Sequence, residues 1–236
     1  MGLMRRLAAF FVLFGGKVRE AGLRHVAYLV ARTVMPRLAL DFRRILVIAL
    51  DPRSVPPEVP DDPDIREISE GDLGPALDPG NAEAQLRGRL RAGHRVWVVG
   101  REGRIVAHDF LGGGSRAISD WLVVNGDAGD IWSEFIHVAR DFRGQGLGPR
   151  LRAHVARHCA RAGVSRMLGS IDSPNRNSTR ALGKVGYVPV GRIFFVRILG
   201  LILVHYGPTW RVGRWTAERP LVVPVGATGG VAPGIE

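Results

Sequence analysis

The sequence predicts an α/β (α+β) domain that carries a helical N-terminal appendage, and three observations predict it. Strand-like and helix-like patterns alternate from about Asp64 onward. A glycine-rich turn, Gly144 to Gly148, lies between an apolar run and an amphipathic stretch. The first fifty residues instead combine apolar stripes with a surplus of basic side chains.

At 236 residues the chain has room for one domain of ordinary size plus an appendage, and an apolar share of 46% suits a chain that buries a core. A single cysteine, Cys159, excludes an internal disulfide and fits a reducing compartment. Its place on an amphipathic stretch reads as a buried structural thiol. No Cys/His group has zinc spacing, and His154 with His158, at i and i+4, reads as a solvated face, so no metal is expected. The net charge of +11 invites a nucleic-acid or membrane reading. Of the 33 basic residues only Lys17 and Lys184 are lysines, a bias that a GC-rich genome produces. Residues 1–50 hold nine basic and two acidic side chains, so most of the surplus sits there.

Taken in order, residues 1–50 read as a basic amphipathic appendage. Leu3, Leu7, Phe10, Phe11 and Phe14 form one helical stripe, Gly15 and Gly16 interrupt it, and a second stripe from Val18 to Val34 ends at Pro36. No small-residue cleavage site follows Leu7–Phe14, and that run falls short of the ~20 residues a bilayer span needs. A cytoplasmic protein is expected, its appendage lying on the inner membrane surface, docking a protein or packing on the domain. Arg43–Leu50 reads as a short strand. Residues 51–63 read as a linker, the stretch Asp51–Asp64 holding five prolines and five acidic residues.

The domain is expected over 64–215. Asp64–Ile68 reads as a strand, Ser69 as a possible helix N-cap, and Asn81–Arg91 as a helix. His94–Arg101 and Arg104–Leu111 read as strands joined at Glu102-Gly103. Gly112–Gly114 breaks the pattern, and Ile118–Val124 and Ile131–Val138 read as strands. Helices are expected over Gly146–Ala162 and Pro174–Val185, with a strand at Arg166–Ile171 between them. Val188–Ile198 and Leu201–Tyr206 are apolar enough for a final strand pair. The tail, 216–236, is rich in proline and glycine and reads as disordered.

The turn Arg143-Gly-Gln-Gly-Leu-Gly148 is the most informative segment. A strand, a glycine turn and a helix present free backbone N–H groups and a positive helix end to an anion, and Arg143 adds a cation. The mononucleotide P-loop is excluded, because no Lys-Ser or Lys-Thr occurs in the chain. The dinucleotide fingerprint needs Gly-x-Gly-x-x-Gly near the start of its domain, and neither spacing nor position agrees.

The pattern Arg-x-x-Gly-x-Gly, read as Arg143, Gly146 and Gly148 between Val138 and Leu151, resembles the acyl-CoA pyrophosphate loop of the GNAT superfamily of N-acyltransferases. A second block, Asn175-Arg-Asn-Ser178 followed by Ala181-Leu-Gly-Lys184-Val-Gly-Tyr187, resembles that family's closing segment and stands in the expected order. The resemblance covers roughly 64–215. It implies a mixed, mostly antiparallel sheet with helices on both faces, its fourth and fifth strands splayed around the pantetheine arm. It implies acetyl-CoA or another acyl-CoA as cofactor. Arg143, Gly144, Gln145, Gly146, Leu147 and Gly148 would take the pyrophosphate. The backbone of Ile136, His137 and Val138 would take the pantetheine, with Asn175, Ser178 and Lys184 assisting.

Acyl transfer to an amine needs a bound donor, a base, an oxyanion donor and a proton for the thiolate. Glu134 is the first candidate base, an acid within an apolar run; strict alternation would put it on one face with Trp132, Ile136 and Val138. The competing reading pairs Glu134 with one of the many arginines. His137 is the second candidate, with Asp109 and Asp120 behind it. The resemblance implies a tyrosine acid near the end of the closing block, a place read here as Gly183, while Tyr187 reads as core packing. The expected function is acetyl transfer to a primary amine of a small molecule or amino sugar, by direct attack in a ternary complex. A second reading is a catalytically weak acyl-CoA-binding domain that acts as a sensor or assembly factor through its N-terminal helices. Nucleic acid is not expected as a partner, because the basic residues accompany apolar stripes and not stacking aromatics.

Overall fold

A computed structural model describes residues 40–56, 62–74, 77–172 and 175–228. The main sheet has nine strands: β1 (Leu40–Leu50), β2 (Ile65–Ile68), β3 (Arg95–Arg101), β4 (Arg104–Gly112), β7 (Asp130–Val138), β8 (Arg166–Asp172), β9 (Val188–Ile198), β10 (Leu201–Tyr206) and β11 (Thr209–Gly213). A small second sheet joins β5 (Ser115–Ser119), β6 (Leu122–Asn125) and β12 (Leu221–Pro224). The α-helices among the described residues are α1 (Glu83–Arg91), α2 (Leu147–Arg161) and α3 (Arg176–Gly183).

The main sheet runs β11-β10-β9-β1-β8-β7-β4-β3-β2, and every neighbouring pair is antiparallel except β7 with β8. A parallel pair needs a crossover, which α2 supplies. The mixed, mostly antiparallel sheet with helices on both faces is therefore present.

The two faces are covered differently. One carries α2 and α3, where Leu147, Leu151, Val155 and Ala156 pack on Leu50, Trp97, Val99 and Leu111. On the other face α1 places Leu86 against Ile68, Val96, Val98 and Phe110. The small sheet covers the rest of that face, setting Trp121, Leu122, Val124 and Val223 over Val47, Trp132 and Phe195.

Strand β1 corrects the expected domain boundary. Residues 40–50 belong to the middle of the sheet, between β8 and β9, and not to an appendage. Ile45 through Leu50 are six consecutive buried residues. At ~1.5–3 kcal/mol for each large apolar side chain buried, losing them would remove on the order of 10 kcal/mol, comparable with the stability of a whole domain. The sheet thus begins before the linker, whose residues 52–54 form a single 3-10 turn. The two helical stripes expected over residues 3–34 lie outside the described residues.

Smaller corrections concern edges. The expected strand Ile118–Val124 is a hairpin, β5 and β6, turning at Asp120-Trp121. The tail expected to be disordered from 216 contributes β12, which pairs in parallel with β6 over Leu221–Pro224. Residues 229–236 lie outside the described residues. Cys159 is buried, and burial pushes its thiol up to about 11, consistent with an inert structural role. His154 and His158 are half-buried rather than solvated, their rings 5.4 and 4.8 Å from Trp97.

Candidate active site

The parallel pair β7–β8 is short. Asp130, Ile131 and Trp132 pair with Arg166, Met167 and Leu168, and beyond them the strands part. β8 continues along β1 as far as Asp172, while β7 continues along β4 as far as Val138. From Ser133 onward, the β7 edge that faces β8 has no strand partner among the described residues. Two cavities open in the gap. One, of ≈ 290 Å³, lies on the α2/α3 side and is lined by Ser133, Ile136, Arg152, Gly169, Asn175, Ser178 and Leu182. The other, of ≈ 270 Å³, lies on the small-sheet side and is lined by Arg43, Ile45, Arg116 and Ile118. Both include Glu134, Ser170, Ile171 and Asp172. The gap is a passage through the sheet with Glu134 at its middle.

A β-bulge puts Glu134 there. Leu111 faces Ser133 and Phe110 faces Phe135, so Glu134 is the extra residue of β7. Strict alternation therefore fails. Ser133, Ile136 and Val138 meet the α2 side, whereas Glu134 turns to the opposite face with Trp132. There Arg89 of α1 donates to Glu134 Oε2, and His94 Nε2 lies 3.2 Å from Glu134 Oε1. The Arg89 Nη1 is also 3.1 Å from His94 Nε2. Gly112 makes this packing possible, since a Cβ at that position would come within 2.9 Å of Glu134 Oε1. Glu134 pairs with an arginine, as the competing reading has it, and it also lines both cavities.

At one end of the gap stands the glycine turn. Gly146, the N-cap of α2, has φ 75°, a left-handed conformation that a side chain would strain. Gly144 and Gly146 are exposed, and a Cβ on either would meet nothing within 4 Å, so the turn faces open space. No acidic residue occupies the first turn of α2. Pro149 removes one N–H there, and those of Leu147 and Gly148 remain beyond the reach of intrahelical carbonyls. Arg143 Nε donates to the Val138 carbonyl at 3.1 Å, which folds the loop back on the end of β7. This is an anion cradle at a helix N-terminus.

The closing block splits. Asn175 caps α3, its Oδ1 accepting from the Ser178 N–H at 3.1 Å, and both residues line the gap. Lys184 is exposed at the other end of α3, roughly 13 Å along the helix from Asn175, and does not reach either cavity. The acid position also needs correction. Leu182, two residues before Lys184, lines the cavity, whereas Gly183 is exposed with open space around it. No hydroxyl stands at either place.

His137 is not brought to the passage. Its ring stacks on His108 at 5.3 Å and lines neither cavity, so a base role finds no support in its position. Burial, then Arg143, pulls its pKa down; burial, then His137, takes His108 down to about 4. Asp109 is wholly buried under the α2 face, accepting from Ser133 Oγ at 2.9 Å with Arg152 Nε 3.0 Å away. Arg152 in turn donates to the Tyr187 hydroxyl at 3.1 Å. Burial pushes the Asp109 carboxyl up, against the pull of Arg152 and Ser133. Ser133 and Arg152 of this network line the cavity, while Tyr187 belongs to the core. Asp120 is exposed on the β5–β6 turn. Arg43, Arg89, His94 and Arg116 all reach the site without having been singled out in the sequence. No group of three metal-ligating side chains occurs among the described residues.

The family model described as acetyltransferase (GNAT) family matches residues 63–187, just over half of the chain. The chain belongs to the GNAT acetyltransferase family. Among solved structures, it is similar to a Drosophila protein at 19% identity and TM-score 0.46, with 75% of this chain and 56% of that one covered. It is also similar to a GCN5-related N-acetyltransferase from Sphaerobacter thermophilus at 18% identity and TM-score 0.45, with 72% and 56% covered. A third is aminoglycoside N-acetyltransferase AAC(6')-Iy in complex with CoA, at 18% identity and TM-score 0.39, with 52% and 90% covered. The chain spans a little over half the length of the first two. No curated protein matches it.

Proposed function

We propose that the protein transfers an acyl group, acetyl in the first instance, from acyl-CoA to the primary amine of a small molecule in a ternary complex. The observation that carries this reading is the passage between β7 and β8, with an anion cradle at one end and Glu134 at its middle. The residues fit the cofactor. The exposed N–H groups around Gly144–Gly148 suit a pyrophosphate, and Arg143 adds charge beside them. The β7 edge at Ile136–Val138, which has no strand partner toward β8 among the described residues, offers backbone partners to the pantetheine amides, and Asn175 and Ser178 line the opposite wall. When bound, acyl-CoA supplies the activated thioester.

The chain's own groups do the rest. The acceptor approaches from the small-sheet cavity, and its nitrogen forms the C–N bond as the thioester C–S bond breaks. Glu134 takes the proton that the nitrogen releases, directly or through water, while Arg89 and His94 hold the carboxylate in place. The departing thiolate takes a proton from solvent, since Leu182 offers none. The test is thiol release from acetyl-CoA with a panel of amines, alongside thermal shift by acetyl-CoA. Transfer and a raised Tm support the reading; no binding and no shift sink it. The apolar Leu182 favours a second reading, a sensor that binds acyl-CoA and turns over little. A raised Tm without thiol release from any amine would select it.

A further inference from the structure

The small-sheet cavity contains two guanidinium groups that the acyl donor does not require. Arg43 comes from β1 and Arg116 from β5, so strands more than seventy residues apart supply the same wall. Arg116 lies with its guanidinium carbon 6.0 Å from the centre of the Trp132 ring, and its Nη1 is buried with no hydrogen-bond partner among the described residues. Arg43 donates through Nη1 to the Ile118 carbonyl at 3.4 Å, while its Nε, 4.0 Å from Asp41 Oδ1, is likewise buried without a hydrogen bond. Burial presses the Arg116 pKa down, and the charges of Glu134 and Asp109 offset this only in part. The carboxylates that line the same cavity make their close contacts with other groups, although the Glu134 charge is also felt at Arg116. Glu134 faces Arg89 and His94, and Asp172 is already engaged. Buried N–H groups of a cation are seldom left unmatched, and a pair of them beside a cavity points to a missing anion.

We propose that this cavity holds the acceptor's carboxylate against Arg43 and Arg116, so that the acceptor is an amine that also carries a carboxyl group, an amino-acid-like molecule. A carboxylate presents two coplanar oxygens, which match the guanidinium fork. The volume of ≈ 270 Å³ suits a single small molecule. The same cavity includes Glu134, so a substrate anchored through its carboxylate presents its amine to the residue assigned as base. The inference rests on the acyl-transfer reading and adds the acceptor class to it.

The test uses the full chain, acetyl-CoA and three sets of acceptors: the standard amino acids, their carboxamides and the amines that lack the carboxyl group. The preferred amino acid should show kcat/KM about ten- to a hundredfold above its carboxamide and its decarboxylated counterpart. In Arg116→Gln that ratio should collapse toward one, chiefly through KM, while the Kd for acetyl-CoA stays as in wild type. Arg43→Gln should act in the same direction. Equal kcat/KM for acid, amide and amine in the wild type overturns the inference and leaves acyl transfer standing. An acid preference that survives in both variants overturns the assignment to these arginines. Acetyl-CoA binding with no thiol release from any acceptor overturns both readings.

Discussion

The two ends of the passage are built on different principles. The end proposed for the donor is one contiguous segment, residues 143–148, which offers backbone N–H groups and carries glycines at fixed spacing. The end proposed for the acceptor is assembled from side chains of β1, β5, β7 and β8, with Arg89 of α1 and His94 behind it. A backbone cradle leaves a mark in the sequence because local conformation demands particular residues. A side-chain pocket leaves almost none, because any arginine looks the same until the fold selects it.

The comparison can be broken at its centre first. Glu134→Gln keeps the shape of the bulge and removes the base, so kcat should fall about 10²- to 10⁴-fold with the acetyl-CoA Kd unchanged. Steady-state kinetics with calorimetric binding would check this, and a kcat within threefold of wild type would remove Glu134 from the base role.

At His108, on β4 opposite His137, the fold itself should be sensitive to pH. His108 is held near 4, whereas in the unfolded chain it titrates near 6.5. Between those values the unfolded chain binds a proton that the folded one excludes. The stability it contributes is therefore complete above about pH 6.5 and is lost as pH falls toward 4, at most about 3 kcal/mol. Urea unfolding of wild type and His108→Phe at pH 7 and pH 4.5 should show the smaller pH difference in the variant.

The donor end should respond to backbone changes more than to charge. Gly146→Val imposes a left-handed φ on a branched residue, costing about 1–2 kcal/mol, and should raise the acetyl-CoA Kd at least tenfold. Arg143→Ala should be the mildest change, a two- to fivefold rise in Kd that shrinks further as salt is added, because Arg143 is exposed. A larger effect from Arg143→Ala than from Gly146→Val would reverse the ranking of backbone over charge.

How much was legible follows the same division. The alternation of elements, the hairpin at Glu102-Gly103, the helix after Gly146 and the burial of Cys159 all follow from local patterns. The run Ile45–Leu50 was recognisable as a strand, yet its place between β8 and β9 was not, because sheet order depends on contacts more than a hundred residues apart. Glu134 was singled out as an acid in an apolar strand. Its neighbours were misjudged because alternation presumes an unbroken ladder, and the bulge opposite Leu111 breaks it.

By itself the sequence determined the anion cradle: glycines at 144, 146 and 148 after an apolar strand prescribe a turn and a helix end open to an anion. Only the tertiary structure decided where β1 inserts, which way Glu134 faces, and which two of the 31 arginines share a cavity. The physical reason is range. Steric restriction on φ and ψ acts within a few residues and is written into their identities. Burial, bulging and charge pairing depend on what the rest of the chain brings alongside.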